Sequence, residues 1–263
     1  MDLGLKGRSA AVAAGSRGLG QATALALSRE GAQVAICGRD PKKIRAAADA
    51  IESETGARVL AVTADVTSRA DCERFIAETV GAYGRLDILV TNTGGPPAGN
   101  FEGTQDAAWE RAYTSLLENV INLVRAAAPH MKQARWGRIL NIASLSVKQP
   151  IDNLILSNTF RPAIAGFSKS LSKELGPHGI LVNTICPGYT RTDRLEELAE
   201  SRVKAAGITR DQYYETLSRN VPLGRVAEPE EFASVAAFLC SERASYVSGI
   251  ALQVDGGASV GLA

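Results

Sequence analysis

The chain has 263 residues, of which 22% are charged and 45% hydrophobic, with a formal net charge of +1. A chain this long buries a sizeable core, and so even a charge balance gives no field that would draw nucleic acid or an anionic membrane as principal partner. No apolar run approaches the roughly 20 residues that span a bilayer. The opening apolar stretch leads into a Gly-rich loop rather than a signal-peptide layout, so a cytoplasmic protein is expected. The cysteines Cys37, Cys72, Cys186 and Cys240 form no CxxC pair, and His130 and His178 show no ligand spacing. Buried thiols and no metal site are expected.

Short β-type runs then alternate with helical ones. "SAAVAAG" leads into "SRGLGQATALALSREG", where Ala22, Leu25, Ala26 and Arg29 fall at helical spacing and Gly31 ends the helix. The strand "AQVAICG" is followed by "RDPKKIRAAADAIESETG", with Asp40 as N-cap and Pro41 at the first helical position. Next come the strand "RVLAVTADV", the helix "RADCERFIAETVGAYG" and the strand "LDILVTN". Residues 105–118 and 119–134 read as two helical segments, before the strand "GRILNIAS", a long helix over about 157–176 and the strand "GILVNTICPG". The helix "EPEEFASVAAFLCSE" precedes the last strand, "GIALQVDGG". Seven strands separated by helices predict an α/β fold: a single doubly wound Rossmann-type domain over residues 1–263, with a parallel sheet and helices on both faces. The polar insert at about 189–225 follows a strand's carboxyl end, where ligands of open α/β sheets bind, and is expected to form a substrate lid.

"AAGSRGLG" places Gly15, Gly18 and Gly20 between the first strand and first helix. Small residues there let the backbone approach a pyrophosphate, and free N–H groups with the helix dipole favour the anion. At the end of the second strand an acidic residue would bind the ribose 2′-OH of NAD, whereas Arg accommodates the 2′-phosphate of NADP. The sequence has Arg39 there, and Arg17 in the glycine loop supplies a second positive charge. NADP is expected over NAD.

Together these residues resemble the short-chain dehydrogenase/reductase family, nearly end to end. The family's TGxxxGxG loop aligns with Ala13 to Gly20, a stretch that includes Ser16 and Leu19; its adenine-side Asp-Val with Asp65 and Val66; and its NNAG element with "NTGG", which contains Asn92 and Gly94. "NIAS" resembles the strand that delivers the catalytic Ser, here Ser144, and "VNTICPGYTRT" the segment whose Pro187, Gly188, Thr190 and Thr192 would lie on the nicotinamide side. "PLGRVAEPEEFASVAAFLCSERASYVSG" and "VDGG" resemble the family's C-terminal portion. The resemblance implies carbonyl–alcohol interconversion with a nicotinamide cofactor, a small-molecule substrate, and a homotetramer or homodimer.

It also implies an Asn-Ser-Tyr-Lys tetrad, and here the sequence departs. The family's usual Ser-to-Tyr interval, counted from Ser144, ends on Ser157. The pattern Y-x-x-x-K-x-x-x-x-G-F, counted back from Gly166–Phe167, ends on the same residue and puts Arg161 in the Lys position. The Asn position, counted from Trp109, holds Leu116, with Asn119 one helical step away. An aliphatic hydroxyl is a far poorer acid than a phenol, and Arg keeps the charge of Lys without relaying protons. Pro162 is tolerable if its helix starts near Ser157–Asn158. Ala14 stands where the family's first Gly is usual, acceptable if its φ is negative. Three readings stay open: an NADPH-dependent reductase with another proton donor, a protein that binds NADP without dehydrogenase activity, and a lyase or isomerase. For the first, Tyr189 is the candidate acid, with Lys148, Tyr213 and Tyr214 behind it.

Overall fold

The computed structural model describes residues 1–261; residues 262 and 263 of the expected domain lie outside the described residues. Seven parallel strands form one sheet in the order β3-β2-β1-β4-β5-β6-β7. The strands are β1 (Ser9–Val12), β2 (Gln33–Gly38), β3 (Val59–Thr63), β4 (Ile88–Thr91), β5 (Gly137–Ile142), β6 (Ile180–Pro187) and β7 (Ala251–Val254). The strand order reverses between β1 and β4, and such a switch point opens a crevice at the carboxyl edge.

Alternate strand residues enter different cores, as the two-residue period of a strand requires. Ala10, Val12, Val34, Ile36, Ile88 and Val90 face one side, with α1 (Gly18–Arg29), α2 (Pro41–Thr55) and α9 (Pro229–Leu239). Ala11, Ala35, Cys37 and Leu89 face the other, with α3 (Arg69–Tyr83), α5 (Asn119–Ala134) and α6 (Ile155–Leu175). Phe232 and Phe75, one on each side, are fully buried, and each contributes about 1.5–3 kcal/mol.

Local chemistry sets the helix ends. The Asp40 carboxylate accepts from the N–H groups of Lys42 and Lys43, Pro41 opens α2, and Gly56 closes it. Ser68 caps α3 through the N–H of Asp71. The expected break near residue 118 is absent: α4 (Asp106–Tyr113) runs through a π-helical turn at Thr114–Glu118 into α5 without leaving helical dihedrals. Helix α6 starts at Ile155, earlier than expected, so Pro162 lies inside it rather than in its first turn. Pro162 has no N–H for the carbonyl four residues back.

A buried polar chain ties α6 to the sheet. Thr91 Oγ1 donates to Asn141 Oδ1 (2.7 Å), Asn141 Nδ2 to Ser168 Oγ (2.8 Å) and Thr184 Oγ1 to Ser168 Oγ (2.9 Å). It links β4, β5 and β6 to the helix that carries Ser157 and Arg161. At the amino edge of the sheet, the Trp136 ring lies between two guanidinium groups, Arg8 at 3.8 Å and Arg138 at 4.1 Å from its centroid.

Candidate active site

The carboxyl edge gathers the loops after β1, β4, β5 and β6. After β1 the chain turns sharply, and Gly20 sits so close beneath the loop that a Cβ there would fall 2.3 Å from the Ala14 carbonyl oxygen and 2.9 Å from Asn92 Nδ2. Only glycine fits. Ala14 has φ 49°, so the condition of a negative φ is not met; the residue occupies the left-handed region that favours glycine. Asn92, after β4, donates to the Ala14 carbonyl at 3.5 Å and bridges the switch point. Among the described residues no side chain caps α1, and its first turn holds no acidic residue. Its leading N–H groups are left for an anion, in contrast to the capped α2 and α3. A close-approach glycine, an uncapped helix and an amide at the switch point fit a dinucleotide diphosphate.

At the outer end of the crevice, Arg39 is exposed, and no carboxylate pairs with it among the described residues. Asp40 beside it is committed to its cap. Arg17 turns elsewhere. Its guanidinium pairs with Asp193 (2.9 Å) and Glu197 (3.1 Å) of α7 (Asp193–Ala206), not with the Arg39 side of the crevice. Those carboxylates hold its pKa above the usual arginine value. Thr192, the N-cap of α7, lies over the glycine loop: a Cβ on Gly18 would fall 3.5 Å from it. After β3, the Asp65 carboxylate accepts from the N–H and hydroxyl of Thr67, and Val66 is buried.

Ser144, after β5, is half-buried and its Oγ accepts from the N–H of Ser146 at 3.2 Å. Ser157 Oγ lies 3.0 Å from Ser146 Oγ, so this hydroxyl is paired with Ser146 rather than Ser144. Four residues on, Arg161 is only 6% exposed. Its Nη1 donates to the Ile142 carbonyl (2.9 Å), while its Nε has no partner among the described residues. Burial, reinforced by the like charge of Arg194, lowers its pKa to about 10. The Cys186 thiol, within electrostatic reach of Lys148, Arg161 and Asp255, is pushed up to about 11 by burial. Asn119 is also buried, its Oδ1 accepting from the Val120 N–H and its Nδ2 without a partner.

After β6, Pro187 and Gly188 continue into the insert. Thr190 pairs with Ala227 in an isolated bridge, and between them α7 and α8 (Arg210–Arg219) fold into a small layer of their own. Its apolar centre is Leu195, Leu217 and Val226, against which Tyr189, Tyr213 and Tyr214 pack. Tyr214 donates to Glu196. The Tyr189 hydroxyl has no hydrogen-bond partner among the described residues, and burial raises its pKa.

A family profile described as enoyl-(acyl carrier protein) reductase matches residues 13–259. The (2S)-[(R)-hydroxy(phenyl)methyl]succinyl-CoA dehydrogenase subunit BbsD of Thauera aromatica is 33% identical, over 98% of this chain and 99% of its own length. The chain belongs to the short-chain dehydrogenase/reductase family. The 3-oxoacyl-[acyl-carrier-protein] reductase FabG of Aquifex aeolicus, another relative, is 32% identical over 98% of this chain and 99% of its own length. Among solved structures, L-sorbose reductase of Gluconobacter frateurii, complexed with NADPH and L-sorbose, superposes with a TM-score of 0.95 at 31% identity, covering 100% of both chains. Against this family frame, sequence reasoning missed Ser146, the partner of Ser157. A serine two residues after Ser144 carries no signal until the fold brings the two segments together.

Proposed function

We propose that this protein is an NADP(H)-dependent oxidoreductase that interconverts a carbonyl and an alcohol on a small molecule such as a 3-oxoacyl compound. The observation that carries the reading is the crevice where β1 and β4 diverge, with glycine under its turn and an uncapped helix facing it. Membership of a family whose relatives are named reductases and dehydrogenases, several of them NADPH-dependent or NADPH-complexed, supports it. Gly15, Ser16, Gly18, Leu19 and Gly20 would hold the diphosphate, Arg39 the 2′-phosphate, Asp65 and Val66 the adenine side. Asn92, Gly94, Arg161, Pro187, Gly188, Thr190 and Thr192 would line the nicotinamide side. Bound there, the cofactor supplies hydride. Ser144 would orient the substrate oxygen, and the insert at 189–225 would close over it as a lid.

The proton is assigned to Tyr189, whose hydroxyl has no partner among the described residues and, with its pKa raised, stays protonated at neutral pH. Ser157, paired with Ser146, is assigned a positioning part. That same pairing favours a second reading, a cofactor-binding subunit without turnover, because it leaves a poor acid in the donor position. One experiment separates the two. NADPH and NADH are titrated by fluorescence, then oxidation of NADPH is followed against ketones, aldehydes and 3-oxoacyl thioesters. The expected outcome is NADPH binding tighter than NADH, reversed by Arg39→Asp, with turnover that Tyr189→Phe lowers about 100-fold or more. Tight binding with no turnover on any substrate selects the second reading, and an unchanged pH–rate profile in Tyr189→Phe removes that residue as the acid. A homotetramer or homodimer in the cytoplasm completes the proposal, with sizing by light scattering as the check on assembly.

A further inference from the structure

We propose that the substrate carries a free carboxylate close to its carbonyl group and that the guanidinium of Arg161 receives it. The inference rests on the reductase reading and names its substrate class. Arg161 is at the carboxyl edge of β5, 6% exposed, with one acceptor, the Ile142 carbonyl. Its Nε is sealed without a partner. Its Nη2 makes no hydrogen bond among the described residues either and, unlike Nε, is not closed off. No carboxylate lies within ion-pairing distance of Arg161 among those residues.

The charged neighbours make the deficit larger. Arg194 reaches back from α7 across the loop after β4, donating to the Pro96 carbonyl (2.6 Å) and passing so near Gly95 that a Cβ there would fall 2.6 Å from its Nε. It acts on Arg161 as a like charge. Lys148, after the Ser144 turn, is half-buried and has no ionic partner among the described residues. Cys186, the other group acting on Arg161, is a neutral thiol at physiological pH. Arg194 is itself paired with Glu197 (3.4 Å), whereas Arg161 has a like charge acting on it and no carboxylate in ion-pairing range among the described residues.

A guanidinium withdrawn from water without a counter-charge is unfavourable until an anion arrives. Ribose hydroxyls would satisfy its donors but leave the charge uncompensated. The dinucleotide diphosphate belongs to the glycine turn after β1, two strands away in the sheet. A carboxylate answers both needs, because the planar fork offers it parallel N–H donors and opposite charge.

The test follows the melting temperature of the protein with and without saturating NADPH. The probes are pyruvate, 3-oxobutanoate and 4-oxopentanoate, each beside its methyl ester. At least one acid is expected to stabilise the protein with a dissociation constant at least tenfold below that of its ester, and Arg161→Gln to abolish the difference. Should that variant not fold, phenylglyoxal labelling of the wild-type protein, mapped by mass spectrometry, reads the same contact: the acid slows modification of Arg161 and the ester does not. Acid and ester acting alike, no acid acting at all, or an acid preference that survives Arg161→Gln each overturns the proposal. A separate failure to bind NADPH would overturn the cofactor reading while the acid–ester comparison still reports on Arg161.

Discussion

Ala14 shows how one methyl group sets the character of the glycine turn. Its φ of 49° puts a β-carbon into a region that costs an L-residue about 1–2 kcal/mol. Glycine removes that strain but adds about 0.4–1 kcal/mol of unfolded-state freedom. Ala14→Gly is therefore expected to stabilise the fold by about 0.5–1 kcal/mol, read as an increase in the urea midpoint with unchanged slope. A lower midpoint would show that the methyl makes contacts outweighing its strain. This feature was not legible in the sequence, where Ala at this position implies a negative φ. Arg17 was hidden for a different reason: its partners lie 176 and 180 residues away, so only the fold reveals that its charge is already engaged.

Among the elements, α6 carries the greatest responsibility, because Ser157 and Arg161 are aimed by where this helix lies. Packing alone would let it slide along β6, and the Thr91–Asn141–Ser168–Thr184 chain fixes it with directional bonds. Removing Asn141 leaves Thr91 without an acceptor and Ser168 without one donor in a dry interior. Asn141→Ala is expected to cost about 2–4 kcal/mol, measured by urea unfolding. It is also expected to lower turnover more than the stability loss explains at a temperature where the variant is folded. The strands and most helices were legible because apolar period and caps act locally: Asp40-Pro41 and Ser68 determine where α2 and α3 begin. The boundary of α6 was not, since the loop before it offers no side-chain cap. The π turn at Thr114–Glu118 likewise has no signature, because its residues are ordinary helix formers.

On the scale of the whole molecule, the four cysteines act as one titrating set. All are fully buried, and burial pushes their pKa values from 9.0 to about 12 for Cys37, Cys72 and Cys240 and about 11 for Cys186. A disulfide reagent near neutral pH is expected to find no reactive thiol in the native protein and four after denaturation. The sign of the pH effect follows from the same shifts. Below pH 9.0 thiols are protonated in both folded and unfolded chains; above it the unfolded chain ionises first. Stability is therefore full below about pH 9 and falls towards pH 11–12, by about 1.4 kcal/mol per pH unit for each thiol involved. Urea unfolding across that alkaline range checks the slope; a flat profile would mean that the thiols are solvated.

The two tryptophans occupy opposite poles of the same body. Trp109 packs edge-on against Phe160 of α6, near the chemistry, while Trp136 is clasped by Arg8 and Arg138 at the far edge of the sheet. The protein thus contains two intrinsic optical reporters. Light emitted in Trp136→Phe tracks events around α6, and light emitted in Trp109→Phe tracks the amino edge of the sheet.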